Sequence, residues 1–352
     1  MSVCRHFLLF GVLPILVTAV EAQTMPPRRV FTMGGNDGVV FPDVIAAARS
    51  GARTIVLSTP APAVHARTDA GMVQTWGRAG DGPGEYRDPI DLTWGATGGL
   101  ILDQNAHRLT AYDAAGRLLW ARPTGTDWAN RVRIVLSDTL LHVFEPMGAR
   151  RAVVRVRGAS RDTIVRYAIP GARIHLEGTS GPSFTLWPPF VPTTQWTDVP
   201  GVGIALWRPG DKSVRVQTVS GAAVALLPLP SAPVAVASAD REWWFSKTFG
   251  VSFAGRRNLF SGLIPEARRR VEFPAQFPLV NELLASPGGT IWVRRSSAGS
   301  GQEWLGLHSS GGAPRRIVLP PGREAIAFGD DVVLTRGVSA DDEPIVEGWM
   351  LR

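Results

Sequence analysis

Eight side chains between residues 78 and 128 are of types that could bind or polarise a ligand: Arg78, Asp81, Glu85, Arg87, Asp103, Asn105, His107 and Trp128. Interleaved arginines and carboxylates can grip a polar partner, or they can cap the amides of their own loop, as the tight GDGPGE run over 80–85 invites. Trp128 has a flat apolar face suited to stacking on a sugar ring. His65, His142, His175 and His308 lie in four separate segments, and three converging imidazoles would suit a metal ion. No local motif ties these groups together. There is no G-x-S-x-G elbow, no H-E-x-x-H, no phosphate-binding G-x-x-x-x-G-K-[ST], and residues 201–203 lack the third glycine of a dinucleotide fold. A calcium loop over 81–85 is excluded by too few carboxylates and by Pro83. The only cysteine is Cys4, so thiolate chemistry further along the chain is excluded. Any site must be gathered by the fold from distant positions.

The elements that would gather it are strands. With 38 glycines and 28 prolines, turns are frequent, and apolar residues alternate with polar ones instead of recurring at helical spacing. A unit of a Gly or Asp turn followed by four to six β-prone residues recurs at 50–58, 97–104, 136–144, 200–208, 287–295 and 328–336. Strand starts at Thr54, Leu100, Leu140, Gly203, Thr290 and Val332 are 40–46 residues apart in three of the five intervals, the length of a four-stranded propeller blade. Intervals of 63 and 87 residues must hold excursions or a concealed blade. The reading is all-β: a six-bladed β-propeller of four-stranded antiparallel blades, with seven blades as the alternative. Residues 23–352 would form this single domain, with an insertion around 237–272. Ser238, Asp240 and Glu242 carry a helix-start pattern there. The proline-dense run 185–196 reads as a connection. The strands RRVFTM (28–33) and IVEGWML (345–351) stand alone at the two ends and are expected to share the last blade, closing the ring.

Residues 73–89 and 98–119 carry a more specific pattern. Trp76-Gly77, residues 80–86 and Pro89 form a connection, and Asp103, His107-Arg108, Tyr112-Asp113 and Gly116 follow at set offsets. This resembles the NHL-type repeat of exported bacterial six-bladed β-propellers. Asn105 stands one place before that repeat's usual Asn, which Ala106 replaces. The match covers residues 50–120, with weaker echoes over 283–320. The resemblance implies a rim where outer-to-inner connections (77–88, 122–130) and second-to-third-strand loops (59–63, 103–107, 146–150, 209–212, 296–303) surround a central channel. The eight side chains named above would face that mouth. A binding module without a cofactor is then expected, recognising a protein, peptide or glycan of the cell envelope. The alternative is a lactonase-like hydrolase or lyase using a divalent calcium or zinc ion at the mouth.

Compartment follows from the first 22 residues. Arg5 and His6 precede an apolar run over 7–20, and Val20-Glu21-Ala22 resembles a signal-peptidase site. Pro14 interrupts the run, which is shorter than the ~20 residues that span a bilayer. Residues 1–22 therefore read as a signal peptide cleaved near Ala22, giving a secreted or periplasmic monomer with no transmembrane segment. The formal charge is +7, and of 37 basic residues only Lys212 and Lys247 are lysines. The arginines are scattered along the chain instead of concentrated on one face, which argues against a nucleic-acid partner.

Overall fold

The computed structural model describes residues 24–351 except 26, 36–38, 61, 126–128, 136–137, 145–149, 159, 170, 172, 178–182 and 250–260. Among these residues the chain forms six four-stranded antiparallel blades arranged in a ring, a six-bladed β-propeller. Blade 1 comprises Val44–Ser50, Arg53–Ser58, Ala63–Thr68 and Val73–Trp76. Blade 2 comprises Pro89–Gly95, Gly98–Asp103, Arg108–Asp113 and Leu118–Pro123. Blade 3 runs from Ala129–Val135 to Ser160–Ala168, blade 4 from Gln195–Val199 to Ala223–Pro228, and blade 5 from Glu282–Ala285 to Arg315–Val318. Blade 6 takes its inner three strands, Glu324–Phe328, Val332–Val338 and Pro344–Met350, from the end of the chain. Its outer strand is Arg28–Met33, antiparallel to Pro344–Met350. The two ends thus share one blade.

Each recurring turn introduces the second strand of a blade, and the six units supply all six second strands. Blade 2 shows why this pattern folds so. Gly98, at φ +130°, sits so close to the Tyr112 carbonyl that a Cβ would collide with it. In the next hairpin, Asp113 Oδ1 accepts the N–H groups of Ala115 and Arg117, both at 2.9 Å, and Gly116 takes φ +86°. The core is divided among the six seams between neighbouring blades. Ile55, Leu57, Trp94 and Ile101 fill the seam of blades 1 and 2, Val153 and Trp196 that of blades 3 and 4, and Trp292, Trp304 and Phe328 that of blades 5 and 6. Tryptophan suits this role because one side chain buries about 150–250 Å² and fills the widening wedge between sheets.

The two long intervals are excursions and add no blade. The first holds the hairpin Ile174–Leu176 with Phe184–Leu186. The second holds helix α1 (Ser238–Phe249) and helix α2 (Ile264–Arg270), the latter preceded by a 3-10 turn at Ser261–Leu263. Phe245 and Phe249 of α1 pack with Leu176, Leu186 and Ala267 in a seventh, separate core. Two local expectations change. The run 185–196 is a connection only over 187–194, because its ends belong to the strands Phe184–Leu186 and Gln195–Val199. Trp196, expected in a loop, is 2 % exposed on an inner strand. The region 1–22 and most of the loop 146–150 lie outside the described residues. No helix among the described residues is long and apolar enough to cross a membrane.

Candidate functional site

The connection 77–88 holds four of the eight sequence-derived candidates, and these bond largely to one another. Arg78 donates to Glu85 at 2.7 Å, and Glu85 also accepts the Gly82 N–H at 2.9 Å. Arg87 pairs with Asp81. Asp103 is fully buried and accepts the N–H groups of Arg87, Asp88 and Ala106 at 2.7–3.2 Å. Arg108, its cross-strand neighbour, donates to the Asp81 and Glu85 carbonyls and pins the connection against blade 2. Asn105 and His107 are exposed on the tight turn between the second and third strands, with His107 at φ +46°. Trp128 lies outside the described residues. Arg78, Asp81, Glu85, Arg87 and Asp103 thus bond within the connection, and none of the seven described candidates lines the cavities described below. The four histidines do not meet. His65 contacts Ser58 and Thr75, His142 contacts Tyr167, His175 contacts Thr185, and His308 contacts Ser310.

A different set of charges converges on the axis. Every blade contributes one or more charged groups from, or beside, its inner two strands. Arg133 of blade 3 donates to Asp91 of blade 2 at 2.7 Å and approaches Asp198 of blade 4 at 3.4 Å. Burial opposes the Arg133 charge, but Asp91 and Asp198 outweigh it and strengthen the protonated form. Nearer the rim, Glu282 of blade 5 faces Arg294 at 3.5 Å and Arg131 of blade 3 at 3.8 Å. Glu324 of blade 6 binds Arg336 at 2.9 Å and Lys247 of α1 at 2.8 Å. Burial raises the Glu324 pKa, yet Arg336 and Lys247 overcome it and hold the carboxyl at about 2. Asp43, just before blade 1, is raised by burial, against the pull of Arg336 and Lys247. The axis is therefore plugged by ion pairs that stitch blade to blade.

On the far side of the plug from the long connections, a cavity of about 470 Å³ opens between the inner hairpins of all six blades. On the near side, a cavity of about 360 Å³ lies over blades 3 to 5. Its walls are the connection 187–193, helix α1 and the loop after Arg294, with Trp187, Phe190, Trp243, Trp244 and Phe277 as rings. Arg151, Lys247 and Arg294 supply positive charge, while Gln195, Asn281, Ser296 and Ser297 supply hydrogen bonds. Helix α1 is held over this mouth by Asp240. Its buried carboxylate accepts the Ala237 N–H at 2.9 Å, the Ser297 hydroxyl at 2.5 Å and the Ser300 N–H and hydroxyl at 3.0 and 2.8 Å. A smaller recess of about 190 Å³ adjoins it, sharing Arg151, Thr193 and Gln195 and adding Asn130, Arg131, His142 and Tyr167. His142 donates to or accepts from the Tyr167 hydroxyl at 2.6 Å. Burial first, and then Arg131, Arg151 and Arg133, lower its pKa to about 3, so it is neutral near pH 7.

A divalent ion at the mouth would need several carboxylate oxygens turned toward one point. Here Asp91, Asp198, Glu282 and Glu324 each face arginine or lysine, and among the described residues no three His, Cys, Asp or Glu side chains lie close enough to hold a metal ion. This donor set does not fit such an ion.

The axial residues were within reach of the sequence. In several units a charge sits on the apolar strand just before the recurring turn: Asp91, Arg131 and Arg133, Asp198, Glu282 and Glu324. A charge at an inner position of a buried strand requires a partner, and that requirement is the missed indication.

No protein-family model matches the chain, and no curated protein does. Among solved structures, it is similar to a Bacteroides fragilis protein provisionally named as exported, at 12% identity over 93% of this chain and 94% of that one, with a TM-score of 0.48. It is similar to the calcium-binding protein regucalcin from Agrobacterium tumefaciens at 10% identity over 94% and 97% of the two chains, TM-score 0.46. It is also similar to virginiamycin B lyase from Staphylococcus aureus at 11% identity over 88% and 80%, TM-score 0.40.

Proposed function

We propose that this chain is an exported, NHL-type propeller that acts as a binding module, taking a ligand from the cell envelope at the mouth over blades 3 to 5. One observation carries the reading: a concave mouth lined by five aromatic rings and by donors from separate segments, held in shape by the Asp240 anchor of α1. Pockets of this kind, apolar with a few placed polar groups, are where small ligands and single residues of larger ones are held. The two serines in the wall have structural bonds, Ser296 to the Gly301 carbonyl and Ser297 to Asp240, and no histidine lines the mouth. The reading concerns recognition. The volume, about 360 Å³, lies at the small end of the ~300–1,000 Å³ range of ligand pockets, so it suits one unit of a polymer or one side chain of a partner. A thermal-shift screen of the purified chain without residues 1–22, against envelope peptides and glycan fragments, tests this. A ligand should raise Tm for the native chain and fail to do so for Trp243→Ala. A ligand that stabilises both equally would place recognition elsewhere.

A further inference from the structure

The mouth and its adjoining recess have a one-sided charge. Arg131, Arg151, Arg294 and Lys247 line them, and no carboxylate does. Glu282 and Glu324 stand behind these cations as ion-pair partners, two carboxylates against four positive groups. The neutral amide side chains of Gln195 and Asn281 also line the mouth, so a ligand rich in acceptors, with some hydroxyl hydrogen to give, suits this lining. The wall also discriminates between polymer types. Extended peptides are commonly captured by main-chain pairing, which needs free amides on the wall. Pro188 in the wall has no N–H, and the same stretch presents Trp187 and Phe190 to the cavity. Rings on the wall, neutral donors between them and cations at one side fit a pyranose ring with a carboxylate.

We infer that the mouth over blades 3 to 5 binds a uronate unit of an acidic glycan, the carboxylate meeting Arg151, Arg294 and Lys247 and the ring lying on the indoles. This rests on the binding-module reading and narrows it. Tryptophan fluorescence and calorimetric titrations with digalacturonate, with the neutral galactose disaccharide and with an Asp-rich tetrapeptide test it. Digalacturonate should bind at least tenfold more tightly than either other probe, and its affinity should fall as salt rises. Lys247→Gln, at a side chain one-third exposed, and Trp243→Ala should each weaken it at least fivefold while far-UV circular dichroism stays native. Equal binding of the neutral disaccharide, tighter binding of the peptide, or no binding of digalacturonate overturns the inference. In the first two cases the module reading survives. In the third it survives only if the thermal-shift screen yields another ligand sensitive to Trp243→Ala.

Discussion

His142 and Arg133 show how much a single buried group governs here. With its pKa held at about 3 against an ordinary 6.5, the native imidazole stays neutral while the unfolded chain takes up a proton first. Its contribution is therefore intact above pH 6.5 and is lost as the pH falls toward 3, amounting to about 2 kcal/mol by pH 5. His142→Gln should accordingly lose less Tm than the native chain between pH 7 and pH 5, and equal losses in differential scanning calorimetry would remove the argument. Arg133 sits between two carboxylates. Arg133→Ala leaves the half-buried carboxylates of Asp91 and Asp198 without their shared partner, at a cost of about 1–3 kcal/mol in urea unfolding. Arg133→Ala combined with Asp91→Asn and Asp198→Asn should recover part of that loss. The residues of 77–88 were conspicuous in the sequence because they are clustered, whereas those of the axis were not, because each lies alone on its strand and meets the others only after the ring closes.

At the scale of elements, α1 is the piece that turns a plain ring into one with a walled mouth. Its twelve residues are tied to blade 5 through Asp240 and to blade 6 through the Lys247–Glu324 pair. Asp240→Ala strips the helix start of its acceptor and leaves the Ser297 and Ser300 donors unmet, an expected loss of about 1–3 kcal/mol, seen first as faster amide exchange within 238–249. Unchanged exchange there would show that the apolar contacts of Phe245 and Phe249 suffice. The helix start was readable because Ser, Asp and Glu stand at capping offsets. The turn units were readable because glycine takes positive φ without strain and aspartate accepts the turn's own N–H groups. What could not be read is where the helix docks, since that depends on the loop over 296–300, some 57 residues away from Asp240.

For the whole molecule, the decisive feature is the seam at which the chain closes on itself. Arg28–Met33 completes blade 6, Phe31 lies over Gly348 so closely that a Cβ there would overlap its ring, and buried Glu347 holds both Arg29 and Arg323. Gly348→Val should open this seam and lower Tm by several degrees, with proteolysis beginning in residues 28–33; a cut elsewhere would show that closure is not the weakest point. Blade number was legible because the second strands repeat, and closure because two strands at the ends lacked neighbours. The mouth was not, since its walls are the two irregular excursions. The pairing also imposes a sequence in time. Arg28–Met33 finds its partner only in Pro344–Met350, more than 300 residues further along the chain, so blade 6 cannot form before the five blades between them have been made.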